Sequence, residues 1–255
     1  MERLLPFYLL IAIFCLPFKA VKAQQSIYEE PTVIFTKSLQ GGVHVHPRGW
    51  GVNFAYGDIR TVDKTILYGV EILGMKHSKE VKQFNAFYED AKGYAYGKLN
   101  AFYMIRPTIS VKKVLTDKYR KGGVEVSLRS GIGPVFGFTK PIYLEIIRPI
   151  DQNRFTLRTE KYDPEIHGVN NIYGKASALQ GFDEIKFRPG IHVRSSLYLE
   201  LSPYQTQLKG LEAGAALDAF PTKVPLMAFE ENNQFFFSFF VNFFIGKKYN
   251  RSISE

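Results

Sequence analysis

The sequence predicts an all-β fold, a transmembrane antiparallel up-and-down β-barrel, from three observations on this 255-residue chain. Residues 234–246 hold seven Phe in thirteen positions. This stretch is shorter than the ~20 apolar residues of a membrane helix and suits a tilted membrane strand of ~9–11 residues. Segments of alternating apolar and polar residues recur along the chain, as half-buried strands require. Long and short connections alternate between these segments, which is typical of outer-membrane barrels.

The N-terminus predicts export. Arg3 precedes an apolar run over residues 4–18, and Val21-Lys22-Ala23 offers a small-residue cleavage site. This pattern indicates a signal peptide, residues 1–23, which is too short for a membrane helix. The remaining residues, 24–255, form one barrel domain. Cys15 is the single cysteine and lies in the signal peptide, so thiol chemistry is excluded from the mature chain.

Composition agrees with this class. The mean hydropathy is −0.12 although 15% of the residues are aromatic, because the lipid-facing and inward-facing sides of membrane strands average out. The net charge is +9. An exported chain does not meet nucleic acid, so the basic excess indicates anionic neighbours, outer-membrane lipid and lipopolysaccharide.

Alternation predicts eight strands. In order, they cover residues 32–46, 49–58, 65–77, 96–109, 123–139, 185–201, 207–220 and 234–246. On six of them, one apolar face is expected to face lipid. From the second strand to the seventh, these faces are Trp50, Val52, Phe54, Tyr56; Ile66, Tyr68, Val70, Ile72; Leu99, Ala101, Tyr103, Ile105; Val124, Val126, Leu128, Ile132, Phe136, Phe138; Phe187, Ile191, Val193, Leu197, Leu199; Leu211, Ala213, Ala215, Leu217.

The connections predict the orientation. Short connections at 59–64, 117–122 and 202–206 alternate with long loops at 78–95, 140–184 and 221–233. We expect the short side and both termini to be periplasmic and the long loops to be extracellular. The alternative fold is a soluble β-sandwich, which does not require short and long connections to alternate. Residues 143–148 and 154–159 form either a hairpin above the membrane or two more barrel strands, which would make ten.

The inward positions predict a filled interior rather than a channel. With the apolar faces turned to lipid, five acidic and five basic residues point inward, joined by three histidines. An eight-stranded barrel is only wide enough for side chains to fill, and charges buried there must pair. The predicted ion-pair network is Glu71, Arg106, Glu125, Arg129, Lys186, Arg188, Arg194, Glu200, Glu212 and Asp218, with His44, His46 and His192 beside it.

Signals for chemistry are weak. His44 and His46 are two apart and face one side of a strand, so they are weak candidates for metal ligands. A hydrolase using a serine (Ser127, Ser130, Ser196 or Ser238) is an alternative, but the chain has no G-x-S-x-G motif. We therefore expect no catalytic residue, no cofactor and no metal.

Several strings resemble a family of small outer-membrane barrels of Bacteroidota. They are Gly97-Lys98-Leu99-Asn100, Gly122-Gly123-Val124-Glu125, Lys140-Pro141-Ile142-Tyr143-Leu144, Gly181-Phe182-Asp183-Glu184-Ile185 with Pro189-Gly190, and the ending Gly246-Lys247-Lys248-Tyr249. The resemblance covers most of the mature chain and implies the fold and the location. It also implies a role as an accessory subunit of an envelope machine for secretion or barrel assembly.

Two classes of function remain open. The first is a non-enzymatic barrel that binds other outer-membrane or periplasmic proteins through its wall or its long loops. The second is an outer-membrane enzyme that modifies lipid or peptide at the rim. A small pore is a third, disfavoured by the filled interior. Apolar loop residues such as Phe84, Phe87 and Tyr88 favour a partner or extend the barrel wall.

Overall fold

The computed structural model describes residues 35–250, except 86, 89, 119–122 and 152–153. The predicted signal peptide, residues 1–23, and the first residues of the predicted strand 32–46 therefore lie outside the described residues. Within the described part, no helix is long and apolar enough to cross a bilayer.

Strands dominate the described residues. In chain order they are β1 (Lys37–His46), β2 (Gly49–Ile59), β3 (Lys64–Met75), β4 (Lys82–Gln83), β5 (Tyr94–Ala95), β6 (Asn100–Thr116), β7 (Glu125–Pro141), β8 (Tyr143–Asp151), β9 (Arg154–Lys161), β10 (Ile172–Lys175), β11 (Lys186–Glu200), β12 (Gln207–Ala219) and β13 (Phe235–Tyr249). A short 3₁₀ helix, Val169–Asn171, precedes β10.

Eight of these strands close into an antiparallel barrel: β1, β2, β3, β6, β7, β11, β12 and β13. Each pairs with the next one along the chain, and β13 pairs back onto β1, so the topology is up-and-down. The prediction of eight strands is confirmed, and the ten-stranded alternative is wrong because β8 and β9 belong to a separate sheet.

Alternation places the predicted apolar faces on the outside of the barrel. Trp50 is 68% exposed, and Phe54 and Tyr56, on the same face of β2, are also exposed. β13 divides its phenylalanines between the two sides of the wall. Phe235, Phe237, Phe239 and Phe243 are exposed, whereas Phe236, Phe240 and Phe244 are buried inside.

The fourth predicted strand differs most from the structure. The sequence predicts it over residues 96–109, but β6 runs from Asn100 to Thr116. Leu99, expected on its outer face, instead packs against a buried cluster above the barrel. At the other end the alternation simply continues, with Ser110 and Lys112 buried inside and Val111 outside.

The two ends of the barrel differ in what they carry. At the terminal end, the start of β1 pairs with the end of β13 through Lys37 and Tyr249. The chain leaves β2, β6 and β11, and enters β3, β7 and β12, at the same end. The loop end carries the β1–β2 turn and the connections 76–99, 142–185 and 220–234. The predicted parity of short and long connections is therefore present.

The long connection 142–185 folds into a three-stranded sheet in the order β10-β8-β9, called here the loop sheet. The predicted hairpin is β8–β9, and β10 is an addition that the sequence analysis did not predict. The loop sheet buries a cluster of Tyr94, Leu144, Ile146, Tyr162 and Ile172. Main-chain hydrogen bonds tie the start of the loop sheet to the residue before β6, since Ile142 N donates to Leu99 O at 2.9 Å and Tyr162 N donates to Ile142 O at 2.9 Å.

The connection 220–234, called here the closing loop, folds over the loop end of the interior. Val224, Leu226 and Met227 are buried against apolar residues of the barrel strands. Asn232 Oδ1 accepts from Leu226 N at 2.6 Å and from Met227 N at 3.1 Å. These bonds hold the loop in place, so its apolar side chains point into the barrel.

The ladder between β6 and β7 is interrupted near its middle, apart from a register shift between Val114 and Thr116. Ile105 pairs with Phe136 and Ile109 with Ile132, and no pairs form between these points. In that register Pro107 lies opposite Pro134, and a proline has no N–H to give to a ladder. Neither proline can therefore donate a ladder bond to the carbonyl of the other.

Candidate functional site

The centre of the barrel holds a charged cluster. Arg106 is fully buried and pairs with Asp218 and, at 3.5 Å, with Glu71. Arg194 pairs with Glu71 and, at 2.7 Å, with Glu212. These five side chains come from β3, β6, β11 and β12, so they join opposite parts of the barrel wall.

Neighbouring polar groups complete the central cluster. Arg129 pairs with Glu212 at 3.2 Å. Ser196 Oγ donates to Glu212 at 2.5 Å, and Asn242 Nδ2 donates to the same carboxylate at 3.1 Å. His192 Nδ1 lies 2.8 Å from Asp218. Three guanidinium groups thus meet three carboxylates, which balances the charge in the low-dielectric interior.

A second ionic group lies near the terminal end. Lys112 pairs with Glu125 at 2.9 Å. Lys118 and Lys248 both pair with Glu200, at 2.8 and 2.9 Å. Both glutamates are predicted from the sequence as inward residues, whereas the three lysines are not. Lys112 could have been found by extending the alternation of the fourth strand past residue 109.

Two predicted members lie apart from these groups. Lys186 is exposed at the loop end. Arg188 Nη1 donates to Thr222 Oγ1 at 3.2 Å and to Lys223 O at 3.5 Å. Both residues open β11, where the chain enters the barrel, so the structure places them at the rim and not in the interior.

The two histidines of β1 lie inside the barrel, as their spacing predicts. Their ring centroids are 5.8 Å apart, and His44 stacks on Phe240 at 4.7 Å. Both side chains are buried. Among the described residues, no group of three or more His, Cys, Asp or Glu is arranged to hold a metal ion. The two histidines therefore have an aromatic neighbour, and within the described residues no third metal ligand accompanies them.

The candidate serines are distributed over the two sides of the wall. Ser127 and Ser196 are buried and donate to Glu125 and Glu212. Ser130 and Ser195 face outward, with hydroxyl oxygens 3.3 Å apart. Ser238 is buried on the inner face of β13. The hydroxyls of Ser127 and Ser196 thus satisfy buried carboxylates.

The interior is closed in layers along the barrel axis. The apolar cluster beneath the closing loop fills the loop end, and the charged cluster fills the centre. Towards the terminal end, Tyr198 stacks on Phe244 at 4.2 Å, and its hydroxyl donates to Gln40 Oε1 at 2.7 Å. A cavity of about 70 Å³ follows, lined in part by Lys112, Glu125 and Lys248. Side chains thus close the passage at several depths.

The loop sheet presents an apolar face to its surroundings. Ile147 and Leu157 pair across β8 and β9, as do Pro149 and Phe155. Phe155 is 51% exposed and Leu157 is 42% exposed. The Tyr88 ring contacts Phe155 at 5.7 Å, edge to face. Phe84 and Phe87, which the sequence analysis noted, are exposed in the connection that carries Tyr88.

Comparison with known proteins finds distant structural neighbours. No protein-family model and no curated protein matches the chain. Ail, the attachment invasion locus protein of Yersinia pestis, is 9% identical, with a TM-score of 0.42 over 85% of this chain and 100% of that one. Neisserial surface protein A is 8% identical, with a TM-score of 0.43 over 84% and 97%. The N-terminal β-barrel domain of Pseudomonas aeruginosa OprF is 7% identical, with a TM-score of 0.33 over 84% and 98%. The fold assignment rests on this chain's own closed strand order.

Proposed function

We propose that this chain is a non-enzymatic integral outer-membrane β-barrel, exported through a cleaved signal peptide, that serves as a scaffold or accessory subunit of a larger envelope complex. In this proposal the barrel wall meets outer-membrane lipid and lipopolysaccharide, and the loop end meets another protein of the outer membrane. The resemblance to small barrels of Bacteroidota agrees with such a role.

The outer wall supports the membrane placement. Large apolar side chains are exposed on every barrel strand, with Trp50 and Phe239 more than 60% exposed. A soluble monomer rarely exposes a contiguous apolar surface larger than a few hundred Å². In a bilayer, lipid chains cover these apolar side chains. Lipid cannot hydrogen-bond to main-chain N–H and C=O groups, and closure of the barrel pairs these groups between strands.

The observation that carries the scaffold role is the contrast between a closed interior and an open apolar surface on the loop sheet. The buried charged groups pair with one another, so their contacts stabilise the barrel itself. Phe155, Leu157 and Phe87, by contrast, are exposed on an ordered sheet and its neighbouring connection. Exposed apolar surface on an ordered segment marks an interaction site.

The test removes the tip of the β8–β9 hairpin. Residues 149–155 are replaced by a two-residue Asn-Gly turn, which joins the paired residues Arg148 and Thr156 and suits a short hairpin. The tagged wild-type and shortened chains are purified from native membranes in a mild, non-denaturing detergent. We expect the wild type to carry a stoichiometric partner and the shortened chain to insert normally but to lose it.

A matched control changes an exposed apolar residue at the opposite end. Val62 is exposed in the β2–β3 turn, and Val62→Ser should leave the partner bound. Heat-dependent gel migration checks that each variant is folded. A wild-type barrel that is always recovered alone, in every mild detergent tried, contradicts the scaffold proposal.

A further inference from the structure

β9 forms one edge of the loop sheet, and the other edge is covered. At the β10 edge, Asn85 Nδ2 donates to Ile172 O at 2.7 Å. Lys92, from the same connection, pairs with Glu145 at 2.9 Å. Over residues 154–161 the β9 edge has no proline, and the register shift of the hairpin lies before it, at Pro149/Asp151. Folded proteins commonly blunt a sheet edge with such devices or cover it.

The hydrogen bonds of the sheet show which main-chain groups of β9 point away from it. Tyr162 N donates to Ile142 O, whereas Tyr143 O accepts from Ala176 N on the β10 side. Because successive residues of a strand point their N–H and C=O groups to opposite sides, Thr156, Arg158 and Glu160 are directed at β8. The groups of Phe155, Leu157, Thr159 and Lys161 are therefore directed outward from the edge.

The two faces beside this edge differ in chemistry. On one face lie Phe155 and Leu157, both substantially exposed, with Tyr88 against Phe155. On the other face Arg158 is exposed, while Glu160 is occupied by a bidentate contact from Arg148 at 3.0 and 2.6 Å. The edge thus offers apolar surface on one side and a cation on the other.

We propose that β9 receives an extended segment of a partner protein by strand addition, and that this segment alternates apolar with acidic residues. Its main chain would bond to the outward groups of Leu157 and Thr159, its apolar side chains would cover Phe155 and Leu157, and its carboxylates would face Arg158. Strand addition obtains affinity from main-chain bonds and specificity from alternate side chains. The inference rests on the proposed scaffold function and specifies how its partner docks.

The decisive variant is Thr159→Pro, with Thr159→Val as its matched control. Proline removes an outward N–H from the edge, and since this group does not bond to β8, the hairpin ladder stays intact. Valine at the same position keeps the N–H and suits a strand. Circular dichroism and heat-dependent gel migration check the fold of both variants.

The probe is a capped eight-residue peptide of alternating Val and Glu, with a Val and Lys peptide as its counterpart. Binding to the full chain in detergent is followed by fluorescence anisotropy. We expect the acidic peptide to bind about tenfold more tightly than the basic one, and Thr159→Pro to weaken its binding by about tenfold, as the loss of one main-chain hydrogen bond predicts. Thr159→Val should bind like the wild type. Equal binding of both peptides, or no effect of Thr159→Pro, overturns the proposal.

Native-membrane purification separates this inference from the scaffold function itself. Loss of the partner with Thr159→Pro, and its retention with Thr159→Val, supports docking at β9. A partner that stays bound to both variants overturns docking at β9 and leaves the scaffold function standing. A wild type without any partner overturns both. A purified chain that dimerises, and that Thr159→Pro converts to monomer, assigns the edge to a second copy and overturns the acidic partner.

Discussion

At the scale of single residues, the stability of the barrel depends on the pairing of charges in its interior. Arg106 and Arg194 are buried and bridge carboxylates that come from different strands. Burying charges costs solvation, which is recovered only when every charge is paired. Removing one residue of a buried ion pair therefore lowers the free energy of unfolding by more than the intact pair contributes to it.

The first prediction compares a buried pair with an exposed one. Arg194→Met leaves Glu71 and Glu212 short of a cation and should lower the free energy of unfolding by about 3–5 kcal/mol. Arg60→Met breaks a pair with Asp58 at 2.6 Å whose arginine is mostly exposed, so it should cost at most about 1 kcal/mol. Urea unfolding in lipid vesicles, followed by Trp50 fluorescence, measures both. Equal losses would show that the central cluster is hydrated.

The second prediction concerns the two facing prolines. Pro134→Val supplies an N–H opposite the Pro107 carbonyl, where the ladder between β6 and β7 is interrupted. We expect the free energy of unfolding to rise by about 1 kcal/mol, the net value of one hydrogen bond. Ile132→Val, two residues away in the intact ladder, is the control and should not stabilise. A loss of stability with Pro134→Val would show that the prolines fit this wall better than a paired strand does.

At the scale of elements, the loop sheet is held by its own polar contacts as well as by its buried cluster. Arg148 forms two bonds to Glu160, and His167 Nε2 lies 3.2 Å from the same carboxylate. The Arg148 hydrogen bond first, and then His167, hold the pKa of Glu160 down at about 2. A carboxyl group whose pKa is lower in the folded state stabilises the fold above its unfolded pKa.

The third prediction is a local loss of stability in acid. The contribution of Glu160 is complete above about pH 4.5, the ordinary pKa of Glu, and is lost as the pH falls from there towards 2. The hydrogen-exchange protection factors of the β8 and β9 amides, which correct for the intrinsic exchange rate at each pH, should therefore fall across this window. Glu160→Gln should flatten that dependence and leave exchange in the barrel strands unchanged. If wild type and variant respond alike to acid, the contact does not hold the hairpin.

At the scale of the whole molecule, the closed layers of the interior predict an insulating barrel. Planar-bilayer recordings of the refolded chain should show no stable open channel. Replacing residues 224–227 by Gly-Ser-Gly-Ser removes the apolar layer of the closing loop but leaves the central ion pairs, so this variant should also be closed. A reproducible ion-selective conductance in the wild type would contradict the closed interior.

The sequence by itself determined the barrel and most of its strand positions. Alternation with a period of two is a local property, readable from residues such as Trp50, Val52, Phe54 and Tyr56, and a closed barrel imposes it on every strand. The same periodicity identified the inward carboxylates and arginines before their partners were known.

Only the tertiary structure decided how those residues meet. Which cation reaches which carboxylate depends on the register between strands far apart in sequence, so Lys118 and Lys248 on Glu200 were not foreseen. The end of β6, the rim position of Arg188, the closing loop and the β10 edge of the loop sheet follow from packing against distant segments. The alternation of apolar and polar residues predicts which face of a strand a residue is on. It does not predict which residues of other segments contact that face.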